Sequence, residues 1–179
     1  MLVGELKKSI RTIPDFPTTG VNFIDLTTLF SDPCYFGIVL DKLSDHILQL
    51  KPDKLVAIEA RGFIVGAALA GRLRLPFVPI RKPGKLPSNK ISITYELEYG
   101  KDALEIHTDA ILPGEKIVIV DDLLATGGTM LAACQLVEQL QGRVCGIVTV
   151  VALSFLPFLQ KLHNYDLYYL VEYHDPIIT

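Results

Sequence analysis

The sequence predicts an α/β protein built on an open, mainly parallel twisted sheet flanked by helices, and three observations lead there. Short apolar, β-branched runs alternate with helical patterns along the chain, as parallel strands covered on both faces require. One run leads through two acids and a glycine pair into a helical pattern, the strand–turn–helix order of an α/β ligand loop. A single long stretch, Pro83 to Gly100, interrupts the alternation.

Taken in chain order, the first clear helix follows Ser31 and Asp32. Pro33 stands at its first turn, where a missing N–H costs nothing, and Phe36, Val39, Leu40, Leu43 and Ile47 give it an apolar face. The strand runs are Leu55–Ile58, Phe77–Ile80, Ile117–Val120, Val144–Val151 and Leu167–Val171. A nearly apolar helix from Phe63 to Leu73 lies between the first two and packs into the core. Another, from Met130 to Leu140, follows the third and is closed by Gly142. The interrupting stretch opens with Pro83, Gly84, Pro87 and Ser88, then places Ile91, Ile93, Tyr95 and Leu97 at period two, which reads as a loop and a hairpin arm. A long insertion of this kind is usually functional, so residues from about 83 to 107 are expected to form a flexible lid.

With 179 residues and no repeat, linker or low-complexity tract, the chain reads as one domain, 1–179. Half of its residues are hydrophobic and its formal net charge is -3, which argues against disorder and against a nucleic-acid partner. The apolar stretches are too short for a bilayer, and the N-terminus MLVGELKKSI is charged where a signal peptide is apolar, so a cytoplasmic protein with no membrane partner is expected. Cys34, Cys134 and Cys145 lack paired spacing and read as buried thiols; His46, His107, His163 and His174 are scattered. No protein-built metal site is visible in the sequence.

The chemistry concentrates in VIVDDLLATGGT, Val118 to Thr129. Gly127 and Gly128 let the turn curl so that backbone N–H groups converge, and the helix start adds unpaired donors and partial positive charge. Thr126 and Thr129 contribute hydroxyls, so a monophosphate suits this loop better than a carboxylate. Asp121 and Asp122, at the carboxyl end of the strand, can accept hydrogen bonds from vicinal sugar hydroxyls. No Lys follows the glycines and the three-glycine dinucleotide spacing is absent, so neither a P-loop nor a dinucleotide site is indicated.

This string resembles the phosphoribosyl-pyrophosphate motif of the type I phosphoribosyltransferases, and its DDLLATGGT form is similar to that of the adenine-specific members. PDFPTTGVNF at Pro14–Phe23, EARGF at Glu59–Phe63, RKPGKLP at Arg81–Pro87 and LEYGKDALEIH at Leu97–His107 follow in the order that family shows. The resemblance implies the type I fold, with a hood contributed by about residues 11–30. It further implies purine salvage: transfer of 5-phosphoribosyl from phosphoribosyl pyrophosphate to adenine, giving AMP and pyrophosphate, with substrate-bound Mg²⁺ and a homodimeric assembly.

By the same resemblance Glu98 transfers a proton near purine N7, and Arg61 grips pyrophosphate beside a cis peptide between Glu59 and Ala60. Ala60, Arg81, Lys82, Lys85 and Tyr99 join Asp121, Asp122, Ala125, Thr126, Gly127, Gly128 and Thr129 on the phosphoribosyl group. Phe23 stacks on the base, with Asn22, Ile24 and Leu123 around it. The family commonly reads Phe-Arg-Asp where this chain has Phe23-Ile24-Asp25, and no counterpart is evident for the tail after Leu170, ending HDPIIT. Two alternatives fit less well. A phosphoribosyltransferase for hypoxanthine, guanine or xanthine is disfavoured by Glu98-Tyr99-Gly100 and DDLLATGGT. A phosphoribosyl-pyrophosphate-sensing regulator would need a DNA-binding segment that Met1–Thr12 is too short to supply.

Overall fold

Successive side chains of a strand point to opposite faces, and in this chain both sets are apolar. In β7 (Lys116–Leu124) Val118 and Val120 enter one core while Ile117 and Ile119 enter another. The computed structural model describes residues 2–97 and 100–176, and among them β7 is the centre of a five-stranded parallel sheet. The other strands are β3 (Lys54–Ile58), β4 (Phe77–Ile80), β8 (Arg143–Leu153) and β9 (Leu167–Tyr173), in the order β4-β3-β7-β8-β9.

Two helices cover one face. They are α3 (Pro33–Leu50) and α4 (Gly62–Leu73), whose Val39, Leu43, Ile47, Val65 and Leu69 pack on Leu55, Ala57, Val118 and Val148. Asp32 caps α3, its carboxylate accepting from the N–H groups of Cys34 and Tyr35 at 2.8 and 3.1 Å, with Pro33 in the first turn as its sequence requires. The second face receives α5 (Gly128–Gln139), α6 (Phe158–Leu162) and a hairpin of β5 (Lys90–Leu97) with β6 (Gly100–His107), through Met130, Leu136, Val137, Phe158, Leu104 and Ile106. A smaller layer contains α1 (Leu2–Ser9), the antiparallel pair β1 (Arg11–Ile13) and β2 (Phe23–Asp25), and α2 (Thr27–Ser31).

The five expected strands are all present, and all but β4 run longer than expected at one end or both. β7 does not stop at Val120: it continues through both aspartates to Leu124, paired with β8 as far as Leu124–Ala152, so the acids lie within a strand. The residue that ends α5 in the left-handed conformation is Gln141, φ 63, and not Gly142. Gly142 is small for a packing reason, since a Cβ there would stand 2.8 Å from Ile111 Cγ2. The thiols also differ from expectation. Cys134 is buried, Cys145 is half-buried, and Cys34 is exposed in the first turn of α3.

Candidate active site

Strand order reverses between β3 and β7. From β3 the chain crosses outward to β4, and from β7 it crosses the other way to β8, so the loops leaving these two strands diverge and open a crevice at their carboxyl ends. The loop after β3 carries Glu59 and Ala60, joined by a cis peptide as the resemblance implies, then Arg61. β7 ends in the paired acids and the glycine turn. α4 starts against this turn: a Cβ on Gly62 would lie 2.6 Å from Asp121 Oδ1, so only glycine lets the helix and the acidic strand end approach so closely.

The two carboxylates share a poorly hydrated place. Asp122 is 4% exposed and Asp121 is partly buried, with the Asp122 N–H donating to Asp121 Oδ1 at 2.9 Å. Burial first, and then the adjacent Asp122 charge, push the Asp121 carboxyl well above its ordinary range. Burial pushes Asp122 up as well, opposed by Arg61, whose Nε lies 2.7 Å from Asp122 Oδ2. Despite that proximity Asp122 Oδ2 accepts no hydrogen bond among the described residues. The Arg61 guanidinium also lies 5.4 Å from the Phe23 ring centre, and its Nη1 donates to Ile24 O at 3.5 Å. Arg61 thus spans the space between the acids and the aromatic ring.

Gly127 stands at φ 79 as the cap of α5, backed by Phe158, and the helix begins at Gly128. The first N–H groups of α5 border the crevice and have no partner among the described residues, with the positive end of the helix behind them. The hairpin lies over this turn. Thr129 Oγ1 donates to Tyr95 Oη at 3.3 Å, Lys82 Nζ donates to the same oxygen at 3.1 Å, and Tyr95 donates to Asp102 Oδ2 at 3.2 Å; Lys82 is also ion-paired with Asp102.

Two cavities result. One, of about 360 Å³, is lined by Ala60, Arg61, Lys82, Asp121, Asp122, Leu123, Ala125, Thr126, Gly127, Gly128 and Thr129 among others. The second, of about 340 Å³, is mainly apolar and is lined by Asn22, Phe23, Ile24, Leu153, Phe155, Leu156 and Pro176 among others. Arg61, Leu123, Ala125 and Thr126 belong to both walls, so the cavities abut.

Most candidate residues are therefore brought together. Residues 81 to 85 do not form the simple cationic patch expected, since two of the three cations are turned to other uses. Arg81 forks onto Glu59, Nε and Nη2 lying 3.2 and 3.1 Å from its carboxylate oxygens, and this bond, with the Lys82 N–H, holds Glu59 below the usual carboxylate range. Lys85 is exposed, and its carbonyl accepts from Arg81 Nη1 at 3.3 Å; of the three cations only Lys82 lines the polar cavity. Glu98 and Tyr99 lie outside the described residues. Sequence reasoning missed Leu153, Phe155 and Leu156, although their place at the carboxyl end of β8 marks them by the same rule that found the aspartates. It also missed Tyr95 as a polar partner, and Pro176.

Sheet order, crevice and loop chemistry define a phosphoribosyl-transfer domain, and the family model described as "Phosphoribosyl transferase domain" matches residues 36–158. The adenine phosphoribosyltransferase of Acidobacterium capsulatum is 50% identical over 170 residues, 95% of this chain and 94% of that protein. The crystal structure of the enzyme of that name from Thermoanaerobacter pseudethanolicus superposes with a TM-score of 0.93 at 49% identity, covering 96% of this chain and 99% of that one. The Saccharomyces cerevisiae enzyme, complexed with D-2,5-dideoxy-2,5-imino-altritol 1,6-bisphosphate and adenine, gives 0.89 at 40% identity, covering 95% and 98%. This chain belongs to the adenine phosphoribosyltransferase family.

Proposed function

We propose that the protein transfers the 5-phosphoribosyl group of phosphoribosyl pyrophosphate to N9 of adenine, forming AMP and releasing pyrophosphate. The observation that carries this reading is the shared wall. A polar cavity beside the paired acids and the glycine turn shares Arg61, Leu123, Ala125 and Thr126 with an apolar one lined by Phe23. A sugar phosphate and a planar base held in these two places meet at the anomeric carbon.

The 5′-phosphate takes the N-terminal N–H groups of α5 with Thr126 and Thr129, and Asp121 and Asp122 accept from the ribose hydroxyls. Adenine lies against Phe23 in the second cavity. Catalysis is then chiefly alignment: the C1′–pyrophosphate bond breaks with its electron pair leaving on pyrophosphate, N9 closes onto C1′, and N9 loses its proton. Arg61 and Lys82 hold the departing anion, and Glu98 is the proton-transfer group near the purine. Magnesium suits this site as a passenger of the pyrophosphate: the adjacent carboxylates of Asp121 and Asp122 line the polar cavity and are the hard oxygen donors that ion prefers. Asp121 and Asp122 would hold that ion together with the substrate, and it would offset charge on the leaving group.

Steady-state assays of the purified protein with phosphoribosyl pyrophosphate and each purine base test the reading. AMP and pyrophosphate in equal amounts from adenine, with much lower efficiency for hypoxanthine and guanine, are expected. Binding of phosphoribosyl pyrophosphate without turnover of any base would instead support a regulator. The reading also includes a homodimer and a cytoplasmic location, which light scattering and cell fractionation test separately.

A further inference from the structure

Beyond β9 the chain folds back onto the loop after β8. Ser154 donates to Tyr173 O from its backbone N at 2.9 Å and from its hydroxyl at 3.1 Å, and that hydroxyl lies 3.0 Å from His174 Nδ1. This turn carries Pro176 to the apolar cavity, where its carbonyl accepts from Asn22 Nδ2 at 2.6 Å across 154 residues of sequence. Asn22 and Pro176 both line that cavity with Phe23.

The contact decides which end of the Asn22 carboxamide is available. A carbonyl oxygen only accepts, so the NH₂ group must be the one facing Pro176. Oδ1 is left as an acceptor, and among the described residues no donor reaches it. Much of the remaining wall is apolar: Phe23, Leu123, Phe155 and Leu156 offer no side-chain hydrogen bond, and Ile24, 4% exposed, stands where the family commonly has an arginine. Arg61 and Thr126 face the boundary with the polar cavity. Side-chain recognition of the far edge of a base therefore falls to Asn22.

We infer that Asn22, with its amide oriented by the carboxyl-terminal segment through Pro176 O, selects a 6-aminopurine over a 6-oxopurine. The inference rests on the adenine reading above. A lone acceptor attracts an exocyclic N–H and repels a keto oxygen, and a site that pairs with a polar group discriminates strongly against an analogue presenting the wrong one.

The test compares kcat/KM for adenine and hypoxanthine, each with phosphoribosyl pyrophosphate, in five proteins: the full chain, Asn22→Leu, Asn22→Asp, a chain ending at Asp175 and that shortened chain carrying Asn22→Leu. Asn22→Leu should lose roughly tenfold in efficiency with adenine, mainly through KM, as expected for one hydrogen bond. Asn22→Asp keeps the acceptor and should retain most of the adenine preference although its contact to Pro176 is gone. The shortened chain frees the amide to turn its NH₂ toward a keto oxygen, so hypoxanthine efficiency should rise severalfold, and this gain should vanish when Asn22→Leu is added. A role in folding alone would lower both substrates together. An adenine-to-hypoxanthine ratio within about twofold of the full chain in Asn22→Leu, less than one hydrogen bond supplies, overturns the inference, as does an Asn22→Asp protein no more selective than Asn22→Leu. Turnover of adenine with an unchanged ratio refutes this role and leaves the reaction intact; no turnover of adenine by the full chain refutes the reaction itself.

Discussion

Two adjacent carboxylates in a crevice are costly until a ligand arrives. Asp121 is held above its ordinary value by burial and by Asp122, so the native state binds its proton more tightly than the unfolded chain does. The sign follows directly: this group's stabilising contribution is full below the ordinary aspartate range and is lost as pH rises through the raised value. Asp121→Asn should therefore stabilise the unliganded protein by about 0.5–2 kcal/mol at neutral pH. Urea titrations should show that gain shrinking as pH falls toward about 4, the ordinary aspartate range. The same variant should lose phosphoribosyl-pyrophosphate use, since an amide replaces one acceptor oxygen by a donor. A variant that is destabilised at neutral pH and fully active contradicts both parts. Glu98 gives a sharper kinetic expectation. Glu98→Gln should lower the single-turnover rate by about a hundredfold or more, and a rate near wild type would move proton transfer to another group.

Among the elements, strand β2 and the hairpin are each fixed by one polar residue. Asp25 accepts from Thr27 N at 2.9 Å, from Thr27 Oγ1 at 2.6 Å and from Arg11 Nε at 2.9 Å, and Thr27 and Arg11 hold its pKa at about 2. This contribution has the opposite sign to that of Asp121: it is present above the ordinary aspartate pKa and is lost as pH falls toward about 2. Asp25→Ala should cost about 1–3 kcal/mol at neutral pH, and chemical denaturation should show the difference from wild type narrowing on acidification. On the hairpin, Tyr95→Phe removes an oxygen that meets Lys82, Asp102 and Thr129 while keeping the ring. A severalfold rise in KM for phosphoribosyl pyrophosphate is expected from one lost hydrogen-bond hub, with Tm little changed. An unaltered KM would detach the hairpin from the phosphate loop.

The legibility of these elements follows a physical division. The five strands and the helices α3, α4 and α5 could be read because burial on both faces demands unbroken β-branched runs, and helix faces impose their own period. The extension of β7 through Asp121 and Asp122 could not, since acids oppose strand propensity and are tolerated there by pairing with β8. Arg81 and Lys82 read as free cations because their partners, Glu59 and Asp102, stand 22 and 20 residues away and meet them only through tertiary folding. The contact between Asn22 and Pro176 is more remote still.

At the scale of the whole molecule, the site exists because the sheet reverses its winding beside β7 and because α4 sits close enough to narrow the crevice. Gly66 sets that spacing: a Cβ there would come within 2.5 Å of Ala57 Cβ and 3.2 Å of the Phe77 ring. Alanine normally favours a helix interior over glycine by about 1 kcal/mol, so the sign of Gly66→Ala distinguishes propensity from packing. Net destabilisation of about 1–3 kcal/mol by overpacking is expected in urea denaturation. A stabilised variant would mean that helix and sheet can separate freely. The abutting cavities have one more consequence, for chemical intervention. Two fragments that bind weakly on either side of the Ala125–Thr126 partition, a phosphate mimic at the α5 terminus and a planar heterocycle on Phe23, need only a short rigid tether to act as one compound. Joining them makes the second encounter intramolecular, and the gain from that effective concentration can reach about a hundredfold to ten-thousandfold without any new contact.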